Sequence, residues 1–213
     1  MLVGYLESTI DDWMVIEPKG LWIECYVDAS FNVHPNGKSH SGCIITLGGA
    51  PCYSHSGAQR LVTTSSCESE MVALGDNAHM LVYFKQFMQM QGYRDIKMHC
   101  WEDNRSSIDL WTKGYSTSKT TKHIALRYFF VTDLMERDIM TVTHLKSALQ
   151  LADALTKGVT RTIFDELKEK IFNSWSELHS QAKSPNSATL THHMVMNIDD
   201  LIDYADQNIA WLN

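Results

Sequence analysis

The chain has 213 residues, is 44% hydrophobic and 20% charged, and carries a formal net charge of −7. This composition is typical of a globular protein and argues against one whose whole surface binds polyanions. The length favours one main domain of roughly 150–170 residues with short appendages.

The cysteines and the apolar runs predict the compartment of the protein. Five cysteines are scattered without a CxxC pair, so we interpret them as small buried side chains in a reducing environment rather than as zinc ligands. Neither a secretory signal nor an apolar run near 18 residues is present, which predicts an intracellular protein that does not span a membrane.

The first half of the chain predicts an antiparallel meander followed by a long helix. Three strands are predicted, at residues 22–30, 41–47 and 51–56. Turns containing glycine separate them, which favours antiparallel pairing. From Ser66, apolar residues recur at helical spacing to about Gly92.

The second half predicts two further strands, each entering after a helix. The predicted elements are a strand at 96–101, helices at 106–111 and 124–137, a strand at 139–145 and a last helix over 149–171. We therefore expect an α/β fold with a mixed five-stranded sheet. Three of its strands are antiparallel, two enter by helical crossovers, and helices cover both faces.

Composition divides the chain into four segments. Residues 1–20 precede the domain and residues 21–172 form it. Residues 173–197 are rich in Ser, Asn, Gln and His, which predicts a flexible linker, and residues 198–213 predict a short acidic helix.

One segment is basic within this acidic chain. Residues 110–132 contain no acid and carry four cations: Lys113, Lys119, Lys122 and Arg127. Such a segment is expected where one face meets a phosphate backbone. A solvated loop and helix face is the alternative interpretation.

Four carboxylates are candidates for a shared metal site. Asp28 and Asp103 close predicted strands, where an unpaired charge near the core costs free energy. Glu70 and Asp153 lie near helix starts, where the helix dipole alone explains an acid by about 0.3–1 kcal/mol. Four converging carboxylates would repel one another unless hard divalent cations such as Mg²⁺ joined them.

Eight short motifs occur in order between about residues 2 and 159. They are Tyr26-Val27-Asp28-Ala29, Ser41-Gly42, Leu47-Gly48-Gly49, Ser65-Ser66-Cys67-Glu68-Ser69-Glu70-Met71-Val72-Ala73-Leu74, Glu102-Asp103-Asn104-Arg105-Ser106-Ser107-Ile108, Thr121-Lys122-His123-Ile124, Arg127-Tyr128 and Gln150-Leu151-Ala152-Asp153-Ala154-Leu155-Thr156-Lys157. Together they resemble the ribonuclease H domain of copia-type long-terminal-repeat retrotransposon Pol polyproteins. Residues 3–9 also resemble the connection that follows the polymerase domain, so 1–20 is identified as connection-like.

The resemblance implies a set of metal ligands. The metal-binding acids of the family correspond to Asp28, Glu70, Asp103 and Asp153. They would hold two Mg²⁺ ions, for which Mn²⁺ can substitute. Asp28 is expected to bridge both ions, Glu70 and Asp103 to hold one, and Asp153 to hold the other.

Several neighbours of these acids are interpreted with alternatives. Glu68 competes with Glu70 but lies close to the helix entrance. Glu102 precedes Asp103 on a strand, so we expect it on the opposite face, in an outer or surface position. His123 is expected to cap a helix, contact a phosphate or take part in catalysis, and His144 to assist product release or simply end a strand.

The resemblance implies an enzyme that hydrolyses the RNA strand of RNA–DNA hybrids with Mg²⁺ and without a small-molecule cofactor. Its expected partners are the hybrid and the reverse transcriptase domain of the same polyprotein, in the cytoplasm, the nucleus or virus-like particles. Nucleic-acid contacts are expected from Lys113, Lys119, Lys122, His123, Arg127, Asn104 and Ser66.

Two rival functions are weighed against the nuclease. A catalytically silent or domesticated module would bind nucleic acid or a protein partner, as the acidic net charge and the unfamiliar residues 173–213 suggest. An integrase or transposase of the same superfamily predicts acids in the order Asp-Asp-Glu, whereas this chain has the order Asp-Glu-Asp-Asp.

Overall fold

The computed structural model describes residues 4, 7, 16, 18–113 and 122–171, with the backbone alone at 113 and 122–126. The predicted linker 173–197 and acidic helix 198–213 lie outside these residues, as does most of the connection-like segment 1–20. Among the helices within the described ranges, none combines the length and apolarity that crossing a bilayer requires.

Five strands form one mixed sheet with the first strand at its centre. They are β1 (Trp22–Ser30), β2 (His40–Leu47), β3 (Ala50–Ala58), β4 (Lys97–Glu102) and β5 (Thr141–His144). Their order is β3-β2-β1-β4-β5, with antiparallel pairing among β1, β2 and β3 and parallel pairing of β1 with β4 and β4 with β5. The predicted mixed five-stranded sheet is therefore confirmed.

Side chains of β1 pack alternately into two apolar clusters, one on each face of the sheet. Ile23, Cys25 and Val27 are buried against the apolar side of helix α1 (Ser66–Met90). Tyr26 lies in a second apolar cluster that contains Ile44 of β2. Because successive side chains of a strand point to opposite faces, both faces of β1 are covered.

Helix α1 begins with a cap that involves Glu68. The Ser65 hydroxyl accepts a hydrogen bond from the backbone N–H of Glu68 at 3.2 Å, and Glu68 Oε2 accepts one from the backbone N–H of Thr64 at 2.7 Å. These bonds satisfy N–H groups at the helix start. Glu68 is thereby engaged at the helix entrance, which is where the sequence places it.

Four more helices follow within the described ranges. They are α2 (Arg105–Lys113), α3 (Lys122–Glu136), α4 (Asp153–Thr156) and α5 (Arg161–Ile171), with a 3₁₀ turn at Ser147–Leu149. Helices α1 and α3 approach closely at Gly75, where a Cβ would lie 2.5 Å from the Cβ of Arg127. Leu167 and Ile171 of α5 pack with Ile44 on the other face of the sheet.

The prediction of a single last helix is wrong. The chain instead forms the 3₁₀ turn, the short helix α4 and the separate helix α5. The break lies at Lys157, whose backbone is extended with φ −143° and ψ 155°. It separates the helix that carries Asp153 from the helix that follows Gly158.

Candidate metal centre

Acidic side chains gather at the edge of the sheet where its parallel strands end. Asp28 lies near the end of β1 and Asp103 follows the neighbouring β4, while Glu70 and Asp153 come from the starts of α1 and α4. One oxygen from each of Asp28, Asp103 and Asp153 lies within 4.8 Å of the others, and so does one from each of Glu70, Glu102 and Asp103. The structure thus brings the four predicted acids together, with Asp103 common to both groups.

Asp28 is buried and contacts α4. It is 3% exposed, its Oδ2 accepts a hydrogen bond from the Thr156 hydroxyl, and Lys157 Nζ lies 4.0 Å from the same oxygen. Burial raises the pKa of Asp28, against the opposing effects of the Thr156 hydrogen bond and the Lys157 charge. A further positive charge in this site would stabilise the carboxylate.

Lys157 places an ammonium group among these acids. Its Nζ lies 2.9 Å from Asp153 Oδ1. Although burial opposes the shift, the hydrogen bond to Asp153 and the charges of Asp28 and Asp103 raise the pKa of Lys157. The ammonium therefore stays protonated and offsets part of the negative charge of the Asp28–Asp103–Asp153 group.

A glycine allows α4 to approach the sheet. Gly42 lies opposite Asp28 in the pairing of β1 with β2. A Cβ at Gly42 would lie 2.7 Å from Thr156 Cγ2, 2.9 Å from Leu155 Cβ and 3.0 Å from Ala152 O. A residue with a side chain does not fit there unless α4 shifts, so Gly42 helps to set the position of the acid-bearing helix.

Two glutamates are buried on the other side of Asp103. Glu70 is 5% exposed and Glu102 is fully buried, and within the described structure Oε2 of each has no hydrogen-bond partner. Burial and the charge of Glu102 raise the pKa of Glu70 well above its usual value. Burial also raises the pKa of Glu102, against the hydrogen bond from the backbone of Asn104.

The surface alternative for Glu102 is wrong, because the side chain is fully buried, while the outer position beside the metal ligands stays a prediction. Strand β4 ends at Glu102, so Asp103 lies beyond the strand and does not follow its alternation. Glu102 instead shares the buried phase of Met98 and Cys100. Glu102 and Asp103 can therefore both contribute to the same cluster, although alternation along a continuous strand would place them on opposite faces.

The chemistry of these residues fits a hard divalent cation. Every ligand atom in the two groups is a carboxylate oxygen, and Mg²⁺ and Ca²⁺ bind oxygen ligands. A buried carboxylate oxygen without a partner costs free energy. A cation at Glu70 and Glu102 would provide a partner for Oε2 of each, which has no hydrogen bond within the described residues.

The predicted basic contacts fall largely outside the described structure. Lys119 is not among the described residues, and neither are the side chains of Lys113, Lys122 and His123. Arg127 is described, and its guanidinium forms an ion pair with Asp76 of α1. That contact joins α3 to α1.

Three other predicted residues lie at the ends of elements. Ser66 is exposed at the first residue of α1. Asn104 precedes α2 and uses its Oδ1 to accept a hydrogen bond from the backbone N–H of Ser106 at 2.9 Å. His144 is the partly buried last residue of β5.

Three residues around the acids are not predicted individually from the sequence: Gln150, Thr156 and Lys157. Gln150 is fully buried, donates to Val27 O at 2.8 Å and accepts from the backbone N–H of Ala152 at 3.3 Å. One amide thus joins the end of β1 to the start of α4. The spacing of four between Asp153 and Lys157 is a signal that indicates their ion pair.

Sequence comparison connects this chain to parts of much longer proteins. No family model matches it. The Pol polyprotein of transposon TNT 1-94 from Nicotiana tabacum is 28% identical over 171 residues, which cover 80% of this chain and 13% of that protein. The Pol polyprotein of transposon RE1 from Arabidopsis thaliana is 29% identical over 136 residues, which cover 62% and 9%. The chain is homologous to retrotransposon Pol polyproteins.

This homology confirms the resemblance to Pol that the motifs predict. This Pol homologue has the predicted mixed five-stranded sheet, in which three strands pair antiparallel and two enter after helices. Among solved structures, ribonuclease H1 from Halobacterium salinarum NRC-1 is similar, with 18% identity and a TM-score of 0.46 over 68% of this chain and 98% of that one.

Proposed function

We propose that this Pol homologue is an endonuclease that hydrolyses the RNA strand of RNA–DNA hybrids with the help of divalent cations. The observation that carries the proposal is the convergence of Asp28, Glu70, Asp103 and Asp153 at one edge of the sheet. Four elements that are distant along the chain supply these acids. Bringing four like charges together costs free energy. Stabilising the fold therefore does not explain why these acids converge.

Mg²⁺ is the proposed ion, with Mn²⁺ as a substitute. Asp28, Asp103 and Asp153 would hold one ion and Glu70 with Asp103 another. The shared ligand in this arrangement is Asp103 rather than Asp28, which the resemblance implies, because Asp103 is common to both acidic groups. When bound, two such ions activate a water at neutral pH and stabilise the charge on the departing oxygen of a phosphodiester. The carboxylates would determine the positions of the cations and, through them, the orientation of the phosphate.

The residues around the acids hold them in place for this chemistry. Thr156 donates a hydrogen bond to Asp28, which fixes the orientation of that carboxylate. Gln150 joins β1 to α4, and Lys157 Nζ forms an ion pair with Asp153 Oδ1 at 2.9 Å. Positions fixed in this way lower the cost of arranging ligands when a substrate arrives.

We propose that the residues predicted from the sequence bind the nucleic acid. Lys113, Lys119, Lys122, His123 and Arg127 would bind the phosphate backbone of the hybrid. Asn104 and Ser66 would read the 2′-hydroxyls that distinguish RNA from DNA. The Asn104 side chain caps α2 through its oxygen, and its amide N–H groups would make the contact to the 2′-hydroxyl.

The polymerase domain of the same polyprotein is the proposed protein partner. The chain spans 13% of the Nicotiana relative. In a polyprotein of that length, the polymerase domain would make the hybrid next to this domain. We propose that the reaction takes place inside the cell, in the cytoplasm, the nucleus or virus-like particles.

The proposal is tested by cleavage of a labelled RNA–DNA hybrid with Mg²⁺ or with EDTA, beside duplex DNA of the same sequence. Asp103→Asn should lower the cleavage rate at least a hundredfold while the far-UV circular dichroism spectrum is retained, because Asp103 is common to both acidic groups. Asp95→Asn is the matched control, since Asp95 is an exposed acid outside the groups. Cleavage by Asp103→Asn at the rate of the unmodified chain would remove Asp103 from the mechanism, and binding of the hybrid without cleavage would favour a silent module.

A further inference from the structure

The centre contains one carboxylate more than the four that the resemblance implies, and that residue is Glu102. We propose that Glu102 is a cation ligand that forms, with Glu70 and Asp103, a cation position beside the Asp28–Asp103–Asp153 group. The inference deepens the proposed function, on which it rests, because it adds a metal-binding residue to the same site.

Main-chain hydrogen bonds orient both glutamates. Glu102 Oε1 accepts a hydrogen bond from the backbone N–H of Asn104 at 3.0 Å, the Ser107 side chain also hydrogen-bonds the Glu102 carboxylate, and the backbone N–H of Ala29 donates one to the Glu70 carboxylate. Oε2 of each glutamate has no partner within the described part of the chain. Both carboxylates are thus fixed by the backbone while an oxygen of each is left for a ligand, as is usual for residues that bind metals.

The separations in this group suit one ion. Glu70, Glu102 and Asp103 each offer an oxygen that lies within 4.8 Å of the oxygens offered by the other two. Oxygen ligands lie about 2.0–2.1 Å from Mg²⁺ and about 2.3–2.6 Å from Ca²⁺, so two ligands of one ion are at most about 4.2 Å apart around Mg²⁺ and about 5 Å apart around Ca²⁺. Three oxygens within 4.8 Å of one another can therefore share a single cation, and around Mg²⁺ the carboxylates would draw closer together.

Two other roles for Glu102 make different predictions. In the first, a proton shared between Glu70 and Glu102 satisfies their free oxygens. In the second, Glu102 only fixes the turn at Asn104 that precedes α2. Glutamine at position 102 retains the acceptor oxygen for Asn104 and the size of the side chain, but it removes the charge that holds a cation.

The test measures Mn²⁺ binding by electron paramagnetic resonance in the unmodified chain and in Glu102→Gln. Both are also measured in the Asp153→Asn background, which weakens the other acidic group. We expect Glu102→Gln to lower Mn²⁺ affinity at least tenfold in both backgrounds. Glu68→Gln is the matched control and should change the affinity less than twofold, because Glu68 carries the same charge two residues from Glu70 but binds Thr64.

A second variant guards against a folding defect in the first. Glu70→Gln should show the same loss of Mn²⁺ affinity, and the double variant should lose little more than either single one, because both residues serve one ion. Mn²⁺ affinity that is unchanged in a folded Glu102→Gln variant would overturn the inference in favour of a shared proton or a structural role.

Hybrid cleavage separates this inference from the proposed function. If the unmodified chain cleaves the hybrid and Glu102→Gln binds Mn²⁺ normally, the inference is wrong and the nuclease stands. If Glu102→Gln loses Mn²⁺ and the unmodified chain cleaves no hybrid, Glu102 is a cation ligand in a site with another function.

Discussion

Glu102 is an ionisable residue that the fold buries completely, and its effect on the stability of the protein depends on pH. Its folded-state pKa is raised well above the usual 4.5, so the folded protein retains a proton that the unfolded chain releases. Stability then falls as pH rises from about 4.5 through the folded pKa, because the unfolded state binds fewer protons there. Without metal, Glu102→Gln should therefore raise the melting temperature at pH 8 and have little effect at pH 4.5.

Thermal melts of both proteins in EDTA between pH 4.5 and 8 measure this effect. The difference between the two melting temperatures is the informative quantity, because distant groups such as His40 and His99, whose pKa values burial lowers, contribute equally to both proteins. Only Glu102 and the neighbours that feel its charge, such as Glu70, contribute to the difference. A difference that stays constant over this range would contradict a raised pKa for Glu102.

The sequence predicts the main acids of the site but not all of their neighbours. Asp28 lies near the end of a strand and Asp153 starts a helix, so local pattern and motif both indicate them. Glu102 is missed because strand alternation assigns it to the other face, and only the end of β4 at this residue removes that constraint. Gln150 is missed because its bond to Val27 spans 123 residues, which no local pattern contains.

At the scale of elements, the packing of α4 on β2 determines where Asp153 lies. Gly42→Ala would place a Cβ 2.7 Å from Thr156 Cγ2 and so move α4 away from the sheet. We expect overpacking to cost about 1–3 kcal/mol of the free energy of unfolding. Cleavage should fall more than tenfold, because Asp153 and the Thr156 hydrogen bond to Asp28 move with the helix.

Denaturant unfolding and hybrid cleavage of the purified variant measure the two effects. Gly158→Ala is the control, because Gly158 follows the same helix and a Cβ there would meet no atom within 4 Å. Equal cleavage by Gly42→Ala and the unmodified chain would show that the close approach at Gly42 does not position α4.

The elements themselves differ in how far the sequence predicts them. Turn glycines help to indicate the first three strands, and the sequence predicts the last two, at 96–101 and 139–145, close to where they lie. The break between α4 and α5 is missed, because Leu151, Leu167 and Ile171 join one apolar cluster and so maintain helical spacing across it. The spacing of apolar residues indicates which face of a helix is buried, but it does not indicate whether the helix is continuous.

At the scale of the whole molecule, the acidic centre joins elements from the beginning, middle and end of the described chain. Cations bound to the two acidic groups would link β1 and α4 with the end of β4, and α1 with the end of β4, whereas the unfolded chain cannot gather these ligands. Binding to the folded state alone stabilises it by about 2.7 kcal/mol when the ion is at a hundred times its dissociation constant. For a domain of this size, that corresponds to roughly 5–10 °C in melting temperature.

Thermal melts in Mg²⁺ and in Na⁺ at equal ionic strength test this link. Asp103→Asn should abolish the rise caused by Mg²⁺, because Asp103 is the one acid shared by both groups, while Asp95→Asn should retain it. The metal-free melting temperature of Asp103→Asn should not fall, since the substitution removes repulsion among the acids. A rise in Mg²⁺ that persists in Asp103→Asn would mean that the ion stabilises the protein elsewhere, and that the four distant acids come together for a reason other than metal binding.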